Sequence, residues 1–248
     1  MQDVLTFTTS FGAFANTRLA FGLKIAASIF QALVDLLIDE LKLSGTTGIY
    51  AYPDDIVIGS HSFQEMHNNI RSVLDILIKY NLTLSPEKCV FFKSPIDYLG
   101  FNISHNKIQK TTSIIIKITS FQPPRTVKQV RHFLGLCGFY RSLIPGFAEL
   151  TECLIKLSRK TVPFQWTPTH QEAFKKLQDV FFTKPFVRLP DCDKPFVLNK
   201  DASGQVISGI LLQEHEGKLH PISYYSKTLS NSERNYPARK LELLAIYK

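Results

Sequence analysis

The sequence has few cysteines and no long apolar run, and these two features bear on its redox compartment and on membrane insertion. Its four cysteines (Cys89, Cys137, Cys153 and Cys192) are far apart, and none has the C-x-x-C spacing of a zinc site. A disulfide framework is not expected in a chain of 248 residues. The first residues show no basic region followed by an apolar core, so no signal peptide is predicted. No run of about 18 apolar residues predicts a membrane span. These features favour a reduced, intracellular setting, cytoplasmic or nuclear, with no membrane partner.

Acidic side chains are also in deficit. Lysine and arginine number 29 against 21 aspartate and glutamate, which gives a net charge of +8. An acidic partner such as nucleic acid is compatible with this charge, although a basic balance is weak evidence alone. Hydrophobic residues make up 44% and charged residues 20%, so the composition is that of a folded chain and not a disordered one. The length is typical of one large or two small domains.

The most informative stretch is the segment 49–60, IYAYPDDIVIGS, in which two adjacent carboxylates stand between apolar, β-prone runs. This pattern predicts a β-hairpin with Asp54 and Asp55 at its tip. Two unit charges ~4 Å apart repel by about 4 kcal/mol at an effective dielectric of ~20. A solvated turn tolerates such a pair, and a bound divalent cation would neutralise it. The segment alone leaves both interpretations open.

The surrounding pattern indicates an α+β fold. A helix is predicted over 23–41, the hairpin follows, and Ser62–Glu65 has the form of a capping box that opens a second helix. Short strands are predicted at 82–84, 89–92 and 98–101. After Pro123-Pro124 come helices that begin near Thr126, after Pro145-Gly146 and at Thr167-Pro168. Three strands in meander order are predicted after residue 190, with Asp201 ending the first, and a last helix near Pro237.

The predicted helical middle is rich in basic residues. Considered alone, these side chains are expected to form a solvated helical surface. They are Lys110, Lys117, Arg125, Lys128, Arg131, Arg141, Lys156, Arg159, Lys160, Lys175 and Lys176.

Several motifs, in order, resemble the polymerase and ribonuclease H regions of gypsy-like long-terminal-repeat retrotransposon polyproteins. Tyr52-Pro53-Asp54-Asp55 resembles the Y-x-D-D signature of reverse transcriptases. Four further motifs match: Phe21-Gly22-Leu23-Lys24 with Phe30-Gln31; Leu84 to Cys89 followed by Tyr98 to Phe101; Phe133 to Leu136 with Phe139 to Arg141; and Asp201 to Gly204 followed by Leu229-Ser230 and Glu233 to Tyr236. Each motif is weak alone, but five in the family's order are a strong signal that covers nearly the whole chain.

The resemblance implies an architecture in three parts. Residues 1–106 would form a partial polymerase palm, residues 107–185 the helices of the thumb and connection, and residues 186–248 the start of a ribonuclease H-like α/β domain. The implied substrates are an RNA or DNA template-primer and deoxynucleotides, and the implied context is a longer polyprotein. The residues implied to bind substrate are Phe21, Gly22, Gln31, Tyr52, Leu99 and Gly100.

The resemblance also implies two metal-dependent reactions. Asp54 and Asp55 would bind Mg²⁺ (or Mn²⁺) for nucleotide addition, with two metal ions ~3.5–4 Å apart. Lys88 would protonate the leaving pyrophosphate, whereas without the resemblance it is a solvated lysine at a strand end. Asp201 and Glu242 would be the first two carboxylates of a ribonuclease H centre and would bind metal there. Without the resemblance they are a turn aspartate and an exposed helical glutamate.

Four features indicate a fragment or a degraded copy. The third polymerase carboxylate is expected upstream of the sequence, and the later ribonuclease H carboxylates downstream, so both metal sites are expected to be incomplete. Pro53 conflicts with the primed turns that two-residue hairpins favour. Ile25 and Ala27 replace the family's usual residues, and Lys200 places a cation beside Asp201.

Three hypotheses follow. In the first, the chain derives from an RNA-directed DNA polymerase with ribonuclease H, but this chain alone does not polymerise. The second is a non-catalytic nucleic-acid-binding module derived from a retroelement, in which the basic middle grips a duplex backbone. The third is an unstable relic whose exposed apolar faces cause aggregation.

Overall fold

The computed structural model describes residues 6–15, 19, 22–159, 161–183 and 186–247. The chain divides into two compact units, Met1–Phe91 and Phe92–Lys248. The elements of the first unit are β1 (Thr6–Thr9), β2 (Gly12–Ala15), α1 (Ala26–Leu43), β3 (Ile49–Tyr52), β4 (Asp55–Ile58) and α2 (Phe63–Lys79). Strands β1 and β2 form one antiparallel hairpin, and β3 and β4 form another.

In the first unit, the two helices pack with the β3–β4 hairpin because each has an apolar face. Leu37 and Leu41 of α1 are buried with Ile49 of β3 and with Val73 and Leu77 of α2. Burying such side chains contributes about 1.5–3 kcal/mol each. This small core fixes which face of the hairpin is turned away from solvent.

Polar contacts set where α2 begins and how it joins α1. The Ser62 hydroxyl accepts a hydrogen bond from the Glu65 amide at 3.2 Å, as predicted for the N-cap. Tyr80 Oη donates to the Glu40 carboxylate of α1 at 2.8 Å, and Lys79 Nζ also pairs with Glu40. The hydrogen bond from Lys79 lowers the pKa of Glu40 and keeps its carboxylate ionised.

The second unit contains two sheets and five helices in the described part of the chain. Its strands are β5 (Ile96–Tyr98), β6 (Phe101–Ser104), β7 (Lys107–Lys110), β8 (Val187–Arg188), β9 (Phe196–Ala202), β10 (Val206–His215) and β11 (Lys218–Thr228). Its helices are α3 (Thr112–Thr119), α4 (Val127–Gly138), α5 (Phe147–Leu157), α6 (Pro168–Phe182) and α7 (Ala238–Tyr247). The sheet orders are β5-β6-β7-β8 and β11-β10-β9.

Aromatic side chains dominate the core of the second unit. Phe133 of α4 and Phe174 and Phe181 of α6 are almost fully buried, and the Phe133 and Phe174 ring centroids are 4.7 Å apart. The Gln178 amide of α6 donates to the carbonyls of Ile118, Thr119 and Phe121 at 2.9, 3.1 and 3.0 Å. These bonds join α6 to the last turn of α3 and to the segment that follows it, where carbonyls run out of helical partners.

The α+β prediction is confirmed by this mixture of helices and antiparallel sheets. The strands predicted at 82–84 and 89–92 are wrong: a short 3₁₀ helix, Pro86–Lys88, lies between these stretches, and neither of them pairs with another strand. The single strand predicted at 98–101 is wrong as well, because residues 99 and 100 form the turn between β5 and β6. The three predicted domain ranges stay a prediction.

The basic middle is also less uniform than the sequence suggested. Lys110 ends strand β7 and is only 3% exposed, so it is not part of a solvated surface. Lys110 pairs with Phe101 of β6, and its side chain contacts Val180 and Phe181 of α6, contacts that charge patterning does not reveal. Lys160 lies outside the described residues.

Candidate functional site

The acidic hairpin has the tight geometry that the sequence predicted. Tyr52 pairs directly with Asp55, so the loop consists of Pro53 and Asp54 alone. Neither loop residue has a positive φ. Type I′, II′ and II turns each need a positive φ at a central position, whereas a type I turn has two negative values and favours proline first. The acidic hairpin therefore has an unprimed turn, and Pro53 occupies its first central position, which proline favours.

The hairpin presents its two faces to different surroundings. Side chains directly opposite each other in an antiparallel pair share a face. Ile49, Ala51, Ile56 and Ile58 therefore face the helices, and Ile49 is 6% exposed. Tyr50, Tyr52, Asp55 and Val57 share the other face, where Tyr52 is 59% exposed. Packing of the inner face thus holds the outer face toward solvent.

Both aspartates at the tip are solvent-exposed. Asp54 is the second residue of the turn, and Asp55, the next residue, is the first residue of strand β4. The structure records no hydrogen bond or ion pair for either of these two described side chains. Two free carboxylates are the hard oxygen ligands that suit Mg²⁺. The residues present therefore fit part of a divalent-metal site.

No third ligand joins them within the described ranges. Among those residues, no group of three or more histidine, cysteine, aspartate or glutamate side chains has a spacing that could hold a metal ion. Asp54 also lines a cavity of about 220 Å³ whose other walls are mostly apolar side chains of α1, α2 and 82–84.

The other predicted site residues of the first unit lie on separate elements. Lys88 ends the 3₁₀ helix and is exposed. Gln31 lies on α1, where its amide donates to Asp35 Oδ1 at 2.7 Å while its own Oε1 is buried without a partner. Gly22 has a φ of +84°, and a Cβ there would meet open space. Phe21 lies outside the described residues.

Leu99 and Gly100 form a second tight turn, in the second unit. Tyr98 pairs with Phe101, and the two loop residues have φ values of 49° and 82°. Positive φ at both central positions defines the type I′ class of hairpin turns, which matches the twist of the strands. This turn is therefore of the type that the acidic hairpin does not adopt.

Tyr140 anchors this second turn, and sequence reasoning assigned it no role. The Tyr140 Oη donates to the Gly100 carbonyl at 2.9 Å. A Cβ on Gly100 would lie 2.8 Å from the Tyr140 Oη. The Tyr140 ring packs edge-on to Phe101 and to Phe139. Burial raises the pKa of Tyr140, so its hydroxyl keeps the proton that it donates. The motif Phe139-Tyr140-Arg141 draws attention to Tyr140 in the sequence, but only the fold shows that its hydroxyl binds the Gly100 carbonyl.

The predicted ribonuclease H residues lie on β9 and α7. Asp201 is near the end of β9 and exposed, as predicted for a strand end. Glu242 is on α7, where Leu241 and Ala245 pack with Ile207 of β10. The recorded partner of the Glu242 carboxylate is Lys200, whose Nζ lies 3.5 Å from Oε2. Glu242 therefore already has a cation beside it, which fits a free divalent-metal site poorly.

The two groups of residues belong to different units. The first unit contains the predicted polymerase residues Gln31, Tyr52, Asp54, Asp55 and Lys88. The second unit contains Leu99, Gly100, Asp201 and Glu242. Within the described residues, no helix is both long enough and apolar enough to span a bilayer.

Two family models match separate parts of this chain. A model described as reverse transcriptase (RNA-dependent DNA polymerase) matches residues 2–103. A second, described as an RNase H-like domain found in reverse transcriptase, matches residues 166–248. The two matches follow the order that the sequence motifs predicted, with the acidic hairpin inside the first and Asp201 and Glu242 inside the second.

Individual relatives are polyproteins of transposons. The chain is 32% identical over 246 residues to the retrovirus-related Pol polyprotein from transposon 412 of Drosophila melanogaster, which covers 99% of this chain and 20% of the relative. It is 31% identical over 248 residues to the transposon Tf2-7 polyprotein of Schizosaccharomyces pombe, which covers 100% of this chain and 18% of the relative. The chain thus spans about a fifth of the length of these relatives.

Solved structures agree with the fold. The foamy viral protease-reverse transcriptase in complex with RNA/DNA hybrid superposes with a TM-score of 0.84 at 25% identity, covering 99% of this chain and 33% of that chain. A form of the same viral protein with double-stranded DNA gives 0.85 at 24% identity and covers 99% of this chain and 43% of that chain. The predicted fold class is confirmed: a partial palm, thumb and connection helices, and the start of a ribonuclease H-like domain. The resemblance to a retroelement RNA-directed DNA polymerase with ribonuclease H is confirmed as well.

Proposed function

We propose that this chain is the palm, thumb and connection, and first part of the ribonuclease H-like domain of a gypsy-like retrotransposon polymerase. One observation carries the proposal: two exposed, unpaired carboxylates at the tip of a two-residue hairpin. They lie in a chain that is similar to transposon Pol polyproteins over its whole length. The gypsy-like subtype rests on the motif order from Phe21-Gly22 to Glu233–Tyr236.

The proposed reaction is the addition of deoxynucleotides to a primer on an RNA or DNA template. Asp54 and Asp55 would hold Mg²⁺ or Mn²⁺, which neutralises the phosphates and activates the attacking oxygen when bound. The hairpin core keeps both carboxylates in solvent, where substrate phosphates have access. Lys88 is exposed and free to donate a proton to the leaving pyrophosphate. Phe21, Gly22, Gln31 and Tyr52 would contact nucleotide and template, and Leu99 and Gly100 the primer.

The partner class follows from charge and from the relatives. The solved viral relatives are in complex with double-stranded DNA and with RNA/DNA hybrid. A net charge of +8 favours binding to such duplexes by release of counterions. The free cysteines support a reduced, intracellular setting, cytoplasmic or nuclear. The remainder of a polyprotein would be a further partner.

The test combines metal binding, duplex binding and primer extension. We mix the chain with a primer–template and measure deoxynucleotide binding to the complex by fluorescence anisotropy. We expect the double variant Asp54→Asn, Asp55→Asn to lose the Mn²⁺-dependent part of this binding. Asp75→Asn, an exposed aspartate of α2, is the matched control and should leave this binding unchanged. Two carboxylates give a weak site for two metals, so we expect no primer extension by this chain alone. Template-dependent synthesis would contradict that expectation, and metal-dependent binding that survives the double substitution would contradict the site.

The second candidate is a non-catalytic nucleic-acid-binding module, favoured by the basic side chains of the helical middle. Under this hypothesis, duplex binding weakens steeply with salt, whereas neither Mn²⁺ nor the two aspartate substitutions affect it. A flat salt response, or no binding at low salt, would refute it. The unstable-relic hypothesis predicts aggregation, and a monodisperse, cooperatively melting sample would contradict it.

A further inference from the structure

Contacts from residues 140–148, which we call the joint segment, cover part of one edge of strand β11. In the described part of the chain this strand ends the sheet order β11-β10-β9, so one of its sides has no strand partner in that sheet. The Arg141 Nη2 donates to the Ser226 main-chain carbonyl at 2.6 Å, and the Ala148 amide donates to the Ser226 Oγ at 2.9 Å. Ser226 is 3% exposed. The joint segment thus holds both the carbonyl and the hydroxyl of a buried residue of β11.

Helix α5 depends on this contact because its own N-cap cannot supply one. Gly146 occupies the N-cap position with a φ of 62° and has no side chain that could accept from the first helical amides. The Ser226 Oγ accepts from Ala148 instead, 78 positions away in sequence. The guanidinium carbon of Arg141 also lies 5.8 Å from the centroid of the Tyr225 ring. The start of α5 and the edge of β11 are therefore held to each other.

The other end of the joint segment holds the Leu99-Gly100 turn. Tyr140 directly precedes Arg141 and donates its hydroxyl to the Gly100 carbonyl at 2.9 Å. The Leu143 amide donates to the Tyr140 carbonyl at 2.9 Å, and the Ile144 amide donates to the Arg141 carbonyl at 3.1 Å. Leu143 and Ile144 are also buried in the aromatic core of the second unit. Because close-packed interiors transmit displacements, a shift at β11 is passed along the joint segment to the turn.

We propose that Arg141 is a positioning residue, which couples the Leu99-Gly100 turn to strand β11 through the joint segment. The recorded contacts of Arg141 on β11 are with Tyr225 and Ser226, and it acts on the turn only through Tyr140. The consequence for function rests on the proposed function, since that function places the turn at the primer. A primer held at the turn then has a fixed position relative to the ribonuclease H-like sheet that contains β11.

The experiment measures amide hydrogen exchange of the full chain by mass spectrometry. Arg141→Gln removes the guanidinium fork, and Arg141→Lys keeps the charge and one donor. We expect Arg141→Gln to speed exchange in the peptides that cover 98–101 and 224–228 by about tenfold, the effect of losing one charge-assisted hydrogen bond on local opening. Arg141→Lys should restore part of the protection in both peptides. Ser226→Ala, which removes the acceptor for Ala148 from the other side, should also speed exchange at 98–101.

A primer–template duplex adds a readout that a purely local role of Arg141 would not change. In the parent chain, a duplex bound at the turn should slow exchange at 98–101 and, through the joint segment, at 224–228. In Arg141→Gln the slowing at 98–101 should remain, whereas the slowing at 224–228 should be lost. A duplex that leaves 98–101 unchanged in the parent chain would contradict the primer assignment, and the comparison of free chains would still decide the coupling.

Arg131→Gln is the matched control. Arg131 also donates to a main-chain carbonyl, that of Ser158 at the opposite end of α5, with its Nε at 3.0 Å. Its substitution should speed exchange near Ser158 and leave 98–101 unchanged. The coupling is overturned by unchanged exchange at 98–101 in Arg141→Gln and Ser226→Ala. Equal acceleration there in Arg131→Gln, or slowing at 224–228 by the duplex that survives Arg141→Gln, would overturn it as well.

Discussion

Replacing the buried Lys110 by methionine should stabilise the second unit. Lys110 is 3% exposed, and its Nζ lies 4.6 Å from the centroid of the Phe181 ring and 3.5 Å from the Val180 carbonyl. No carboxylate is recorded beside it in the described structure. Burial lowers the pKa of Lys110 from 10.5 to about 8. Each step of one in pKa corresponds to about 1.36 kcal/mol, so keeping this lysine charged costs roughly 3 kcal/mol near pH 7.

The remaining contacts offset part of this cost. A cation–π contact contributes about 1–2 kcal/mol when it is desolvated, and the long bond to the carbonyl of Val180 contributes less. Methionine fills a similar volume without a charge. We therefore expect Lys110→Met to raise the free energy of unfolding by about 1–2 kcal/mol near neutral pH, measured by urea denaturation.

The pH dependence provides the sharper signature. The folded-state pKa of Lys110 is below the unfolded value, so between about 8 and 10.5 the unfolded chain binds the additional proton. Stability then rises with pH across that window, and below it the full cost of the charge is present. The Lys110→Met variant lacks this rise, so the difference between the two proteins should shrink as pH approaches about 10.

Lys117→Met is the control, because Lys117 is an exposed lysine of the adjacent helix α3. It should change stability by no more than ~0.5 kcal/mol at any pH in this range. The reasoning is refuted if Lys110→Met is less stable than the parent chain near neutral pH. It is equally refuted if the stabilities of the two proteins run parallel from pH 7 to pH 10.

Three further predictions concern the same unit. Gln178→Leu removes the amide that α6 shares among the carbonyls of Ile118, Thr119 and Phe121, and should lower the free energy of unfolding by about 2 kcal/mol in urea. Tyr140→Phe keeps the ring contacts but removes the donor to Gly100, and should cost about 1 kcal/mol in the same assay. Burial raises the pKa of Cys137 to about 12, so a thiol reagent should modify the exposed Cys192 first and Cys137 only on unfolding, as followed by mass spectrometry.

Each of these has a control in the chain. Gln129→Leu, at an exposed position of α4, removes a single bond from the Arg125 amide, so it should lower the free energy of unfolding less than Gln178→Leu does. Equal losses would argue against the carbonyl contacts of Gln178. Gly100→Ala places a Cβ 2.8 Å from the Tyr140 hydroxyl at a φ of +82°, so it should destabilise more than Tyr140→Phe. Labelling of Cys137 at the same rate as Cys192 in the native protein would contradict its burial.

Much of the fold was accessible from local patterns. The hairpin at 49–58, the caps at Ser62, Thr126 and Thr167, and the late meander of three strands were all predicted and are present. These features depend on short-range physics: alternation in strands, side chains that bond the first helical amides, and proline at the first helical position. The predicted strands at 82–84 and 89–92 failed because apolar composition does not supply a pairing partner.

The sequence by itself determined the resemblance to retroelement polymerases and the candidate carboxylates, since motif identity and order are properties of the chain alone. Only the tertiary structure decided what surrounds them. It showed that Pro53 fits an unprimed turn, that Tyr140 holds the Leu99-Gly100 turn, and that Lys200 contacts Glu242. It also buried Lys110, which charge counting had placed on the surface. Each of these depends on backbone angles or on contacts between residues distant in sequence, and local patterns carry no information about either.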